Sequence, residues 1–343
     1  MDAPVSVIIP TYNAQRFVQK AIDSVLAQTY PHFELIIIDN ASEDDTPAIA
    51  QSYVDADERV RLIQNEENLG FTRSISRALE ATKYEYVAKI DAADWMPPHR
   101  LESQKRYLDE CEDVALVSGN IELYDEQYDF IRTMPYSDRY LPVELLFGCY
   151  ISHSAMMYRR SVAMRYGGYD VRLIRAEDYD LWMKMLMGGH RMVTLPEVMS
   201  CELVYRGQGS DFYRQEEREI VLRMQVNALE RITGDLEMAE MLLGLAQDDF
   251  LRRVSSDDVF ETALYFCRQL PVDLCAFYPY ELDSNCVEAL KSRLAAYIQR
   301  NYLNTKGRAA LRAARSEGWD IPIVLNGSTV MAMLRRVVRS LIR

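Results

Sequence analysis

The chain has 343 residues, 49% hydrophobic and 27% charged, with a formal net charge of −13. These proportions are those of an ordinary globular protein able to bury one large core and a smaller one, and the acidic balance excludes a nucleic-acid partner for its body. The six cysteines form no Cys-x-x-Cys pair, no apolar run reaches the roughly 18 residues of a membrane span, and no leader precedes the first apolar run; a cytoplasmic protein with free thiols is expected.

Val5-Ser6-Val7-Ile8-Ile9-Pro10 is a continuous apolar run closed by proline, which predicts a central parallel strand. After the loop Thr11-Tyr12-Asn13, apolar residues at Phe17, Ala21, Ile22, Val25 and Leu26 have helical spacing. Phe33–Ile38 reads as a second buried strand ending in Asp39-Asn40. Thr46–Tyr53 reads as helix, Val60–Ile63 as strand, Thr72–Ala81 as helix and Tyr86–Ile90 as strand, with Pro97-Pro98 forbidding its continuation. The alternation predicts an α/β fold with a doubly wound, mainly parallel sheet flanked by helices. No Gly-x-Gly-x-x-Gly follows the first strand, which disfavours a dinucleotide site.

Ligands of such sheets bind at the carboxyl ends of the strands. Here those ends carry Thr11-Tyr12-Asn13, Asp39-Asn40 and the pair Asp91 and Asp94. Two acids with no basic residue between them suit a divalent cation and the phosphates or ribose beside it. Equally, Asp91 can cap a turn and Asp94 can start the helix His99–Leu108. Tyr12 can lie against a planar base or simply cover the sheet edge. Asp39 can accept a ring N–H or make a turn of its own. Arg73, at a helix start where the dipole gives a cation nothing, suits an anion or faces solvent.

Val5–Asn13, Ser24–Pro31, Asn65–Ser74, the Asp91 stretch, Arg159-Arg160-Ser161 with Gly167–Asp170, and Ala176–Trp182 keep an order and spacing that resemble family 2 glycosyltransferases with the GT-A fold. The resemblance covers about residues 4–210. It implies nucleotide-sugar binding by Pro10, Thr11, Tyr12, Asn13, Asp39, Asn40, Arg73, Asp91 and Ala92, with UDP as the nucleotide. It implies an inverting transfer to a glycan or lipid-linked acceptor, with Asp178 as general base and Glu177 and His153 on the acceptor side. Asp178 as an ordinary helix cap, and His153 as a structural residue, are the plainer alternatives.

The family's metal motif reads Asp-x-Asp with a further Asp, whereas this chain has Asp91-Ala92-Ala93-Asp94, and Gln208 stands where the family commonly has histidine. Mn²⁺ or Mg²⁺ is the implied cofactor, and three readings are open. Asp94 reaches the metal with Asp91; or Asp91 holds ribose and metal binding is weak or absent; or turnover is crippled and the chain is an inactive partner subunit that binds nucleotide-sugar. A nucleotidyltransferase is the remaining rival, but Pro10–Asn13 is not a Gly-rich phosphate loop.

The boundary is expected between a catalytic domain, 1–212, and a mostly helical region, 213–343. Helices are predicted at Arg214–Arg231, Leu236–Leu245, Asp257–Gln269, Val287–Tyr302 and Gly307–Ser316. Residues 328–343 set Val330, Leu334, Val337, Val338 and Leu341 on one stripe beside Arg335, Arg336, Arg339 and Arg343. That pattern suits a helix lying on an anionic membrane surface, peripheral on its inner face, or a helix docked on the body or on a second copy.

Overall fold

In the computed structural model the described residues are 3–136, 140–205, 214–246, 256–278, 284–301 and 305–321. The basic segment 328–343 and Gln208 lie outside them. The apolar runs form β1 (Val5–Thr11) and β2 (Phe33–Asp39), each buried along its whole length, then β3 (Val60–Gln64) and β4 (Tyr86–Lys89). Burial on both faces is why they read as unbroken hydrophobic stretches. All pair in parallel, with Val5 opposite both Phe33 and Tyr86, and Thr11 opposite Asp39.

Helices α1 (Val18–Leu26), α2 (Thr46–Ala56), α3 (Phe71–Ala81) and α4 (Arg100–Glu110) connect these strands and lead out of β4. The inward face of α1, Val18, Ala21, Ile22 and Val25, joins β1, β2 and β4 in one core.

The second half of the sheet is mixed. β5 (Val114–Tyr124), β6 (Phe130–Met134), β7 (Met157–Arg159) and β8 (Arg191–Leu203) extend the order to β3-β2-β1-β4-β7-β5-β6, with β8 on β5. β7 runs antiparallel to β4 and β5, while β8 runs parallel to β5. The pairing of β5 with β8 shifts register at Gly119–Asn120, where Met199 and the Glu197 carbonyl approach the glycine closely. Helices α5 (Leu141–Glu144), α6 (Arg160–Arg165) and α7 (Glu177–Met187) complete this part.

The chain divides into units Met1–Met224 and Gln225–Arg343, a division inside α8 (Arg214–Thr233) and later than the expected 212/213 boundary. Among its described residues the second unit is built of helices and short connections, with no strand. α9 (Leu236–Ala246), α10 (Ser256–Arg268), α11 (Leu270–Phe277), α12 (Ser284–Asn301) and α13 (Thr305–Ser316) follow. The alanines of α13 at 309, 310, 313 and 314 are buried, letting it pack closely on α10. Arg268 and Glu317 form a two-pronged ion pair at the ends of these two helices. No helix among the described residues is long and apolar enough to cross a membrane.

Candidate active site

A cavity of about 990 Å³ opens at the carboxyl ends of β1 and β4. Pro10, Thr11, Tyr12, Asn13, Asn40, Asp91, Ala92, Asp94, His153, Glu177 and Asp178 all line it. Residues from the two halves of the sheet, far apart in sequence, therefore meet in one place. Asp39 and Arg73 are not among the lining residues.

Local chemistry explains the rim. Asn13 sits at φ +48°, where its amide donates to Ser42 Oγ (2.9 Å) and its side chain accepts from the Glu43 amide (2.9 Å). Asn40 donates to Asn68 Oδ1 at 2.7 Å and accepts from Asn65 Nδ2 and the Leu69 amide, which pins the 65–70 loop below α3. Asp39 is buried, with its carboxylate taken by Thr11 Oγ1 (3.2 Å), Ser42 Oγ (2.5 Å) and the Ser42 amide (3.1 Å). Arg73 is exposed in the first turn of α3. Tyr12 keeps 48% of its surface exposed at the cavity edge.

The floor holds an ion pair that sequence reasoning passed over. Lys89, the last residue of β4, is 1% exposed in its side chain and places Nζ 2.5 Å from Asp91 Oδ2. Asp94 is enclosed: Oδ1 accepts the Leu203 amide at 3.1 Å and Oδ2 lies 2.7 Å from Ser154 Oγ. Ser154 Oγ also accepts the Asp91 amide and stands 3.0 Å from Asp91 Oδ2. One hydroxyl proton cannot serve both carboxylates. Burial, with the charges of Glu202 and Asp91, pushes the Asp94 carboxyl well above its usual range. Glu202 is likewise raised, chiefly by burial, while Ser152 donates to it.

The implied metal ligands form a sparse donor set: each Asp94 oxygen accepts one hydrogen bond, Asp91 Oδ2 is paired to Lys89, and residue 93 is an alanine. Among the described residues no three His, Cys, Asp or Glu side chains are arranged to hold a metal ion.

Beneath the floor, Arg100 is fully buried and donates to the carbonyls of Lys89, Ser154 and Met156 and to Gln104. Desolvation brings its pKa down to about 9, opposed by the charges of Glu202 and Asp94.

The opposite wall is the start of α7. Ala176, at φ +57°, turns the chain so that Glu177 and Asp178 enter the first helical turn at the cavity. Burial, then the Asp178 charge, lifts Glu177 to about 8. Asp178 is also raised by burial, against the lowering effect of the Tyr179 amide, which donates to its Oδ1 at 2.7 Å. His153 lies 4.0 Å from both carboxylates through Nδ1, beyond hydrogen-bond reach, and 2.9 Å from the Tyr169 hydroxyl through Nε2. Burial holds its pKa well below the ordinary histidine value, so it is neutral.

Lys89, Ser154, Arg100 and Glu202 were not singled out from sequence. A lysine inside the apolar stretch Tyr86–Ile90 was the one available signal. Glu202 and Ser154 gain meaning only through β8 and the turn before β7.

Comparison with known proteins agrees with this architecture. The sequence profile of glycosyl transferase family 2 matches residues 6–167. Over 219 residues the chain is 30% identical to the uncharacterized glycosyltransferase MJ1057 of Methanocaldococcus jannaschii, covering 62% of this chain and 74% of that protein. It is 33% identical over 191 residues to the O-antigen biosynthesis glycosyltransferase WbnJ of Escherichia coli, covering 53% of this chain and 71% of that protein. Its fold is similar to S. aureus TarS 1–349, solved in complex with UDP-GlcNAc, with a TM-score of 0.58 and 18% identity over 94% of this chain and 95% of that one. The chain spans 55% of a longer TarS chain.

Proposed function

This chain belongs to glycosyl transferase family 2, and from that premise we propose that it moves a sugar from a UDP-sugar to a glycan or lipid-linked acceptor with inversion at the anomeric carbon. The observation that carries the proposal is the meeting of Tyr12, Asp91 and Asp178 on one cavity. Tyr12 offers an exposed ring for the base, and Asp91 an acceptor for ribose hydroxyls. Asp178 is the general base. The acceptor oxygen attacks the anomeric carbon as its proton passes to Asp178, and the carbon–oxygen bond to the diphosphate breaks with its electron pair leaving on UDP.

Burial supports that role for Asp178, since a carboxylate raised above its ordinary range holds a proton better than a solvated one. Neutral His153 and raised Glu177 make the acceptor side less charged than its residue types suggest. The acceptor class is proposed by analogy with the O-antigen relative. An inactive partner subunit is not favoured, because the acid pair and the cavity are both intact.

The test is UDP release from a panel of UDP-sugars, each offered with glycan and polyprenyl-linked acceptors. Acceptor-dependent UDP release with one donor supports the proposal. Binding of no nucleotide-sugar by calorimetry would overturn it.

A further inference from the structure

Resting on the reading that this cavity binds a nucleoside diphosphate sugar, we propose that Lys89 takes the place of a divalent cation as the fixed positive charge that holds the diphosphate. Lys89 is among the residues lining the cavity, and its almost wholly enclosed side chain places the ammonium against Asp91 at the cavity floor. An ammonium has three donors, and the pair with Asp91 uses one.

The neighbouring groups disfavour a bound cation. Lys89 and Ser154 both engage Asp91 Oδ2, and Ser154 and Leu203 each engage one oxygen of Asp94, so a cation bound here would share these carboxylates with a buried ammonium and two hydrogen bonds. Weakening those contacts leaves a buried charge or amide less well paired. Ala93 removes the carboxylate that could offset that loss. Lys89 is itself fixed in position: its carbonyl accepts from Arg100, and Nζ sits 5.5 Å from the centre of the Phe71 ring. A charge so held needs no reorganisation when the diphosphate arrives.

The experiment is calorimetric binding of UDP, GDP and ADP to the full chain, in EDTA and then with Mn²⁺ or Mg²⁺, following whichever binds tightest. Wild-type affinity is expected to change less than about threefold with metal. Lys89→Met, folded by circular dichroism, should bind about tenfold or more weakly, and Lys89→Arg within about threefold of wild type. Ala93→Asp should acquire a dependence on Mn²⁺ that the natural sequence lacks. Tightening of wild-type binding by about tenfold with metal, or folded Lys89→Met binding as wild type, overturns the assignment while leaving the proposed transfer standing. Binding of no nucleoside diphosphate under any condition overturns both.

Discussion

Asp94, in the loop that follows β4, accepts the backbone N–H of Leu203 at 3.1 Å across 109 positions of sequence. This bond, with that to Ser154, ties the parallel half of the sheet to β8 directly under the cavity. Asp94→Ala should cost about 1–3 kcal/mol, because it leaves a buried amide without an acceptor. Asp94→Asn keeps an acceptor oxygen and should lose less. Chemical denaturation of the two variants measures the difference; equal losses would show that the bond to Leu203 contributes little.

Asp178→Asn preserves shape and an oxygen for the Tyr179 amide, and removes only the ability to take a proton. Turnover should fall by about 10²–10⁴-fold while nucleotide affinity stays within about twofold. Steady-state kinetics paired with calorimetry separates the two. A parallel fall in both would assign Asp178 to binding instead of proton transfer.

Glu177 gives the fold a pH dependence of definite sign. Its folded pKa, about 8, lies above its ordinary value of 4.5, so the folded state binds more protons than the unfolded one. The associated stability is fully present below the ordinary value and is lost as pH rises through about 8. One proton gives a slope of at most about 1.4 kcal/mol per pH unit. Melting temperatures from about pH 5 to 9 should therefore fall more steeply for wild type than for Glu177→Gln. Identical slopes would mean that Glu177 is ionised at neutral pH.

Gly119→Ala tests the close approach of β5 and β8. A Cβ there would stand 2.3 Å from Met199 Cγ and 2.8 Å from the Glu197 carbonyl oxygen. The methionine can move; the strand backbone cannot without loss of pairing. A destabilisation of about 1–3 kcal/mol is expected. Gly119 does not line the cavity, so the folded fraction should bind nucleotide as wild type does. Unchanged thermal stability would count against the tight packing.

The parallel half of the sheet was legible because β1 and β2 are covered on both faces and so spell unbroken apolar runs. The mixed half was not. β6 is mostly exposed, β7 is three residues long, and β8 alternates irregularly between buried and half-buried positions. The site divided in the same way. Tyr12, Asp91 and Asp178 stand in motifs that can be read locally. Asp39 looks the same in sequence whether its carboxylate faces a ligand or the Ser42 turn. The partners of Asp94, Ser154 and Leu203, come from strands and turns that periodicity did not reveal.

Retargeting the cavity to a different donor meets an asymmetry set by Arg100. Its guanidinium gathers the carbonyls of Lys89, Ser154 and Met156 around one immobile centre, so a substitution there disturbs three backbone segments together. Tyr12 and Val204 at the edge are solvent-facing and can be varied singly. Directed libraries confined to that edge should retain far more folded members than libraries built on the floor.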